Sequence, residues 1–198
     1  MWGRCTPRYP AKQRVSAQDP REAERLLVDR AKRDPEAFGA LYDRYFSQIY
    51  RFVFSRLRDQ TAAEDVTSEV FMKALRSIPR YQDTGRPFTA WLYQISVNTI
   101  NDRYRASRPT VDLDEMYDLA SAGPGLEDTA LQRAEIREIW TAVEALPGPQ
   151  RTALVLKFQE DMKISDIAAV MGKSEGAVKL LIHRGVTKLR VVMKEESA

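Results

Sequence analysis

The sequence predicts an all-α protein: two small helical domains joined by a flexible acidic linker. Three observations predict it. Apolar residues recur at helical spacing through most of the chain, and no segment sustains the two-residue alternation of a strand. Val111–Asp128 carries six acidic residues, no basic ones and the breaker "AGPG" at 122–125, so periodicity stops there. After it come two short periodic segments parted by a single glycine, Gly172.

Composition bounds the rest. At 198 residues the chain has room for one or two domains, and 43% hydrophobic with 30% charged residues suits soluble ones. No apolar run approaches the roughly 18 residues of a membrane span. The N-terminus lacks the apolar core of a signal peptide. The expectation is a cytoplasmic protein without membrane insertion. Cys5 is the only cysteine, which excludes an internal disulfide and a cysteine-based metal site, and neither metal nor cofactor is expected. One histidine, no glycine-rich phosphate loop and no convergent nucleophile–base set argue against an enzyme. The net charge of +3 hides segments of opposite sign. Met1–Gln18 has four basic residues and no acid, and Lys173–Lys194 has six basic residues against Glu175 alone. Different parts are expected to meet different partners.

The elements follow in order. Residues 1–20 form a polar, basic tail broken by Pro7, Pro10 and Pro20. Residues 21–108 form the first domain. Its periodicity begins near Glu22 and continues through "DPEAFGALYDRYFSQIYRFVFSRL", where Phe38, Leu41, Tyr42, Tyr45, Ile49, Phe52 and Val53 keep helical steps. Asp34 is the expected N-cap there, with Pro35 at the first helical position. "TAAEDVTSEVFMKALRSI" is a second helix with Thr61 as its expected cap. A proline-bracketed loop, Pro79–Pro87, precedes "FTAWLYQISVNTINDRYR", a further helix stopped before Pro109. Residues 109–130 are the linker. Residues 131–194 form the second domain, with helices from Leu131 to Leu146 and, after "PGP", from Gln150 onward.

Two of these segments carry chemistry. In "KISDIAAVMGKSEGAVKLLIHRG", Ile164, Ile167, Ala168 and Met171 share a face, and Gly172 is suited to a left-handed helix end. Ser174 is then a good N-cap for a second helix. Val178, Ile182 and Leu189 would bury that helix, leaving Lys179, His183, Arg184 and Lys188 for a DNA groove and its phosphates. This is a helix-turn-helix arrangement. The plainer reading is a helical hairpin with a solvated charged face. In "PFTAWLYQISVNTINDRYR", the aromatics Phe88 and Trp91 stand beside Asn98, Asn101, Arg103 and Arg105. Amides read base edges, arginines neutralise phosphates and aromatics stack on unpaired bases, although Trp91 and Ile95 also suit a core.

At these residues the sequence resembles the extracytoplasmic-function sigma factors of bacterial RNA polymerase, in the sigma-70 family. "DPEAFGALYDRYFSQIYRFVFSRL" resembles the start of sigma region 2, and "AEDVTSEVFMKAL" its polymerase-binding helix. "PFTAWLYQISVNTINDRYR" is similar to the segment that melts and reads the −10 element. "ALPGPQRTALVLKFQEDMKISDIAAVMGKSEGAVKLLIHRGVTKLR" resembles region 4, which reads the −35 element. Departures are Ser68, Lys163, Leu180, Leu181 and Gly185; Gly185 stands where alanine is common in such sequences.

The resemblance implies binding rather than catalysis. Glu64, Asp65 and Glu69 would meet basic residues of the core-polymerase clamp helices. The loop with Arg80 and Tyr81 would cradle an extruded −10 base beside Phe88 and Trp91. Ser174, Lys179, Leu180, His183, Arg184 and Lys188 would dock on duplex DNA, with Leu180 against a thymine methyl group or the polymerase flap. Partners would be core RNA polymerase, promoter DNA in double- and single-stranded form, and an inhibitory anti-sigma factor of the kind common in this family. The competing expectations are a stand-alone helix-turn-helix regulator with a helical sensor domain, and an adaptor that mimics a sigma factor without melting DNA.

Overall fold

Helices form here wherever the 3.6-residue apolar repeat runs unbroken between capping residues. The computed structural model describes residues 20–106, 139–143 and 145–195. Helix α1 spans Pro20–Ala31 and buries Val28 and Ala31. Asp34 then accepts the Glu36 N–H at 2.9 Å and starts a 3₁₀ turn, Pro35–Ala37. Helix α2 (Phe38–Leu57) follows directly. It buries Phe38, Leu41, Tyr45, Ile49, Phe52 and Val53, the expected stripe, and ends at Arg58 in the left-handed region, φ 60°. Tyr42 departs from the expected core set. It is 38% exposed, and its ring lies across Phe46 and Phe71 at the rim.

Helix α3 (Gln60–Ser77) is capped by Asp59, whose Oδ1 accepts the Ala62 N–H at 2.6 Å. The expected cap, Thr61, is already inside the helix. Asp59 holds the extended backbone an N-cap needs, φ −123° and ψ 126°, and reaches the third helical residue. A 3₁₀ turn, Ile78–Arg80, leads to an irregular loop and then to α4 (Phe88–Ala106). Helices α1 to α4 pack around one apolar core.

In the C-terminal part, residues 139–143 are helical, followed by α5 (Gly148–Leu154) and a π-helical turn, Val155–Gln159. Helix α6 (Ile164–Met171) has no side-chain cap at Lys163 and ends at Gly172 with φ 61°. Ser174 accepts the Ala177 N–H at 3.2 Å, capping α7 (Glu175–Glu195). Val178 is fully buried, and Ile182 and Leu189 pack on the same core. Gly185 is buried too. A Cβ there would stand 2.8 Å from Leu154 Cδ1, so α7 crosses α5 closely at a residue without a side chain.

The two helix groups are not separate bodies. Helix α4 packs against α6. This explains why α6 is buried on two faces: Ile167 and Ala168 on one, Asp166 and Val170 on another. The Arg56 guanidinium, near the end of α2, donates to Gly148 O and Thr152 Oγ1 at the start of α5. Gln48 Nε2 donates to Glu160 Oε2 at 2.6 Å. Arg86 pairs with Asp166 at 3.4 Å. The expected linker, 109–130, and residues 131–138 lie outside the described residues, as does the basic tail up to residue 19.

Candidate nucleic-acid interface

The residues expected to make contacts fall on three surfaces. The first is at the head of α4. Tyr81, Phe88 and Trp91 form a closed aromatic triad with ring centroids 5.0 to 5.3 Å apart. Tyr81 and Trp91 are half-buried, whereas Phe88 is 2% exposed and belongs to the core. This corrects the expectation that Phe88 touches DNA: as the first residue of α4 it points inward and supports the other two rings. Next to the triad lies a cavity of about 400 Å³, walled by Arg80, Tyr81, Gln82, Thr84, Arg86, Trp91 and Gln94, with Ala169 and Val170 of α6 on one side. It offers aromatic faces, amide groups and guanidinium charge in one concavity, the set that stacks on and hydrogen-bonds an unpaired base. Gln94 was not among the expected site residues. It sits one turn after Trp91 and could have been found by the i, i+3 step.

Farther along α4, Asn98 and Arg103 are exposed, Asn101 is half-buried, and Arg105 is exposed and paired with Asp102. The second surface is the outer face of α3. Glu64, Asp65 and Glu69 are all exposed there, while Val66, Thr67, Val70 and Phe71 turn inward. Glu69 pairs with Lys73 at 2.8 Å and Glu64 accepts from Gln60 at 2.9 Å, exposed contacts within α3 itself that leave both carboxylates open to solvent. The Asp65 side chain lies between them in sequence on the same open face.

The third surface is α7. Ser174, Lys179, Leu180, His183, Arg184 and Lys188 are exposed, with Leu180 at 48%. Val178, Ile182, Gly185 and Leu189 follow the opposite face inward at i, i+4, i+7 and i+11. A capped helix with one buried stripe and one exposed basic face, preceded by a glycine-turned α6, is the geometry that lies in a major groove.

These surfaces fall in segments that match known families. The description "Sigma-70 region 2" matches residues 41–110 and "Sigma-70, region 4" matches residues 136–189. The ECF RNA polymerase sigma factor SigW of Bacillus subtilis is 31% identical over 174 residues, 83% of this chain and 92% of SigW. The chain belongs to the ECF sigma factors. BldN of Streptomyces coelicolor, another ECF RNA polymerase sigma factor, is 35% identical over 86% of this chain and 66% of BldN. Among solved structures, CnrH in complex with the cytosolic domain of CnrY superposes with a TM-score of 0.64 at 26% identity, covering 87% of this chain and 98% of CnrH. The aromatic triad and the α3 carboxylates of this sigma factor thus lie within its region 2, the exposed basic face of α7 lies within its region 4, and the cavity is walled by both, with Ala169 and Val170 on the region 4 side. No helix among the described residues is long and apolar enough to cross a membrane.

Residues 20–40 lie before the region 2 match, and the sequence pointed to no site residue among them. In the structure Glu24 of α1 accepts from the Tyr45 hydroxyl and from the Phe88 N–H, 21 and 64 residues away. No local signal announces such a contact. The pairing exists only once α1 is laid across α2 and the head of α4.

Proposed function

We propose that this ECF sigma factor docks on core RNA polymerase through Glu64, Asp65 and Glu69, reads the upstream promoter element with α7 and opens the downstream one at the cavity of α4. The observation that carries the reading is the pairing of two unlike nucleic-acid surfaces on one chain. One is a concavity of aromatic, amide and cationic groups fit for an unpaired base. The other is a convex basic helix fit for a duplex groove. A factor that positions a polymerase and opens its template needs both.

The opening step is binding rather than chemistry. A base that leaves the duplex loses stacking and pairing. The Tyr81 and Trp91 rings and the polar wall beside them replace those contacts on one strand. Arg80, Arg103 and Arg105 supply charge for phosphates. The chain contributes no reacting group; bond formation belongs to the polymerase. The site of action is the cytoplasm, where the promoter DNA is. A protein partner fits the same reading, since CnrH forms a complex with the cytosolic domain of CnrY.

The test is in vitro transcription with core polymerase, combined with reversal of charge on α3. The Asp65→Lys, Glu69→Lys pair should lower core binding by about 1.5–3 kcal/mol per lost charge-assisted contact. Thermal unfolding should stay unchanged, because both residues are exposed. Co-purification with core polymerase at the wild-type level would sink the docking assignment. Failure to start transcription at any promoter from a genomic template pool would sink the reading as a whole.

A further inference from the structure

We infer that α1 is a positioning strut for the 81–87 loop, the wall of the cavity proposed to receive the −10 base. The inference deepens that proposed reading and rests on it. The loop has little shape of its own. Among the described residues, its backbone–backbone hydrogen bonds lie at its ends, Tyr81 N–H to Ile78 O at 3.0 Å and Ala90 N–H to Pro87 O at 2.9 Å. Between them, Asp83 Oδ1 accepts the Gly85 N–H at 2.8 Å, and Gly85 turns the chain at φ 76°. A segment so loosely bonded has many conformations open to it, and a base-receiving wall needs one.

Helix α1 supplies the missing restraints at three points. Arg25 Nε pairs with Asp83 Oδ2 at 2.9 Å, fixing the loop's tip. Lys32 Nζ stands 5.4 Å from the centroid of the Tyr81 ring, over one member of the triad. Glu24 is the anchor. One carboxylate oxygen accepts from the Tyr45 hydroxyl, whose ring is buried on α2. The other accepts the Phe88 N–H at 3.4 Å, where the loop becomes α4. The carboxylate also meets the positive end of the α4 dipole. Glu24 therefore joins the core, the loop's exit and the helix that carries Trp91.

From the C-terminal helices, the polar tie to the loop among the described residues is the Arg86–Asp166 pair. The three ties from α1 lie within the α1–α4 group and involve no residue of α6. Arg25 and Asp83 are well suited to a test, because the Arg25 side chain is 72% exposed and the pair has no part in the core.

The probe is a fluorescent single-stranded 12-mer, chosen from a randomised pool by its binding to wild-type holoenzyme. Glu24→Ala should weaken its binding on the order of tenfold, the value of a charged hydrogen bond. Glu24→Gln, which keeps an acceptor oxygen, should recover most of that loss. Arg25→Asp should weaken binding roughly two- to fivefold, as an exposed ion pair allows, and the swap Arg25→Asp with Asp83→Arg should restore it. Co-purification with core polymerase and binding of a −35 duplex should stay at wild-type levels throughout, which damage to the fold would not allow. Arg80→Ala and Gln94→Ala serve as controls on the cavity wall. If these two lose the 12-mer while Glu24→Ala and Arg25→Asp bind it normally, α1 is no strut and the cavity reading survives. If the wall variants also bind normally, the cavity reading fails and the strut with it.

Discussion

Three tyrosines show how burial sets the chemistry of single side chains. The Tyr93 hydroxyl is pushed well above the ordinary phenol range, first by burial and then by the Glu160 carboxylate it faces. It makes no hydrogen bond of good geometry there. Tyr45 is raised by burial and by Glu24, and Tyr81 by burial and by Asp83. In the unfolded chain such groups ionise near 10. Their neutral forms thus favour the fold fully below that pH, and the advantage is lost as pH rises above it. Arg58 acts in the opposite sense. Burial, and then Arg151, pull it down to about 10, so a cost carried at neutral pH is relieved above that value. Arg151 is lowered as well, by burial. The three hydroxyls, two of them strongly shifted, outweigh the two guanidiniums, and the urea midpoint should fall steadily above pH 10. Tyr93→Phe should cost less than about 1 kcal/mol at pH 7, since no hydrogen bond of good geometry is lost, and should make the alkaline fall shallower. A steeper fall in Tyr93→Phe would contradict this account. Gly185 makes a related point about size. The departure from alanine noted in the sequence reflects the 2.8 Å approach of Leu154, not a change of DNA contact.

At the scale of elements, α7 divides cleanly into a buried stripe and an exposed basic face, so its cations can be changed without disturbing the core. Their roles should differ with position. Arg184 lies in the middle of the exposed face. If it meets a guanine, Arg184→Ala should cost about 1–3 kcal/mol and relax specificity at one base pair. Lys188 lies a turn farther on, where a phosphate contact is proposed. Lys188→Ala should weaken holoenzyme binding evenly across upstream sequences and reduce the salt slope by about one unit. Binding measured at several salt concentrations separates the two. Equal effects on all sequences from both substitutions would remove Arg184 from the base-reading set. Helix α3 illustrates why element boundaries are harder to read than faces. Its acidic face was legible, but its cap was not. Thr61 and Asp59 are both good capping residues, and only the backbone angle at Asp59 chooses between them.

At the scale of the whole molecule, the main fact is that α4 packs on α6 and α2 is tied to α5. Ala169 and Val170 of α6 line the same cavity as Tyr81 and Trp91. The packing of the two helix groups and access to that cavity are therefore coupled. Arg56 is the principal tie, 9% exposed and donating across the junction to Gly148 O and Thr152 Oγ1. A Cβ at Gly148 would lie 3.2 Å from the guanidinium, so the glycine admits the approach. Arg56→Met keeps the volume and removes the donors. It should shift the balance toward separated helix groups by about 1.5–3 kcal/mol, which is tenfold or more in population. Small-angle scattering should then show a larger radius of gyration, while the α1–α4 core unfolds at its usual temperature. An unchanged radius would mean that the apolar contact of α4 with α6 holds the groups together unaided.

The sequence by itself determined the all-helical class, the order of the helices, the glycine turn before α7 and the faces of α3 and α7. Each of these depends on residues three or four apart or on a residue's own backbone preference, and such information is local. Only the tertiary structure decided that Phe88 supports the aromatic triad from within, that Glu24 braces the loop from 64 residues away, and that the two helix groups share an interface. The apolar residues of α4 and α6 show why. Their pattern says that a face must be buried, and Val170 is 2% exposed as the pattern requires. It does not say against what, because burial is rewarded by area removed from water, whichever neighbour removes it. The choice of neighbour is made by shape and by a few polar ties such as Arg56 to Gly148, whose partners lie 92 residues apart and carry no mark of each other in the sequence.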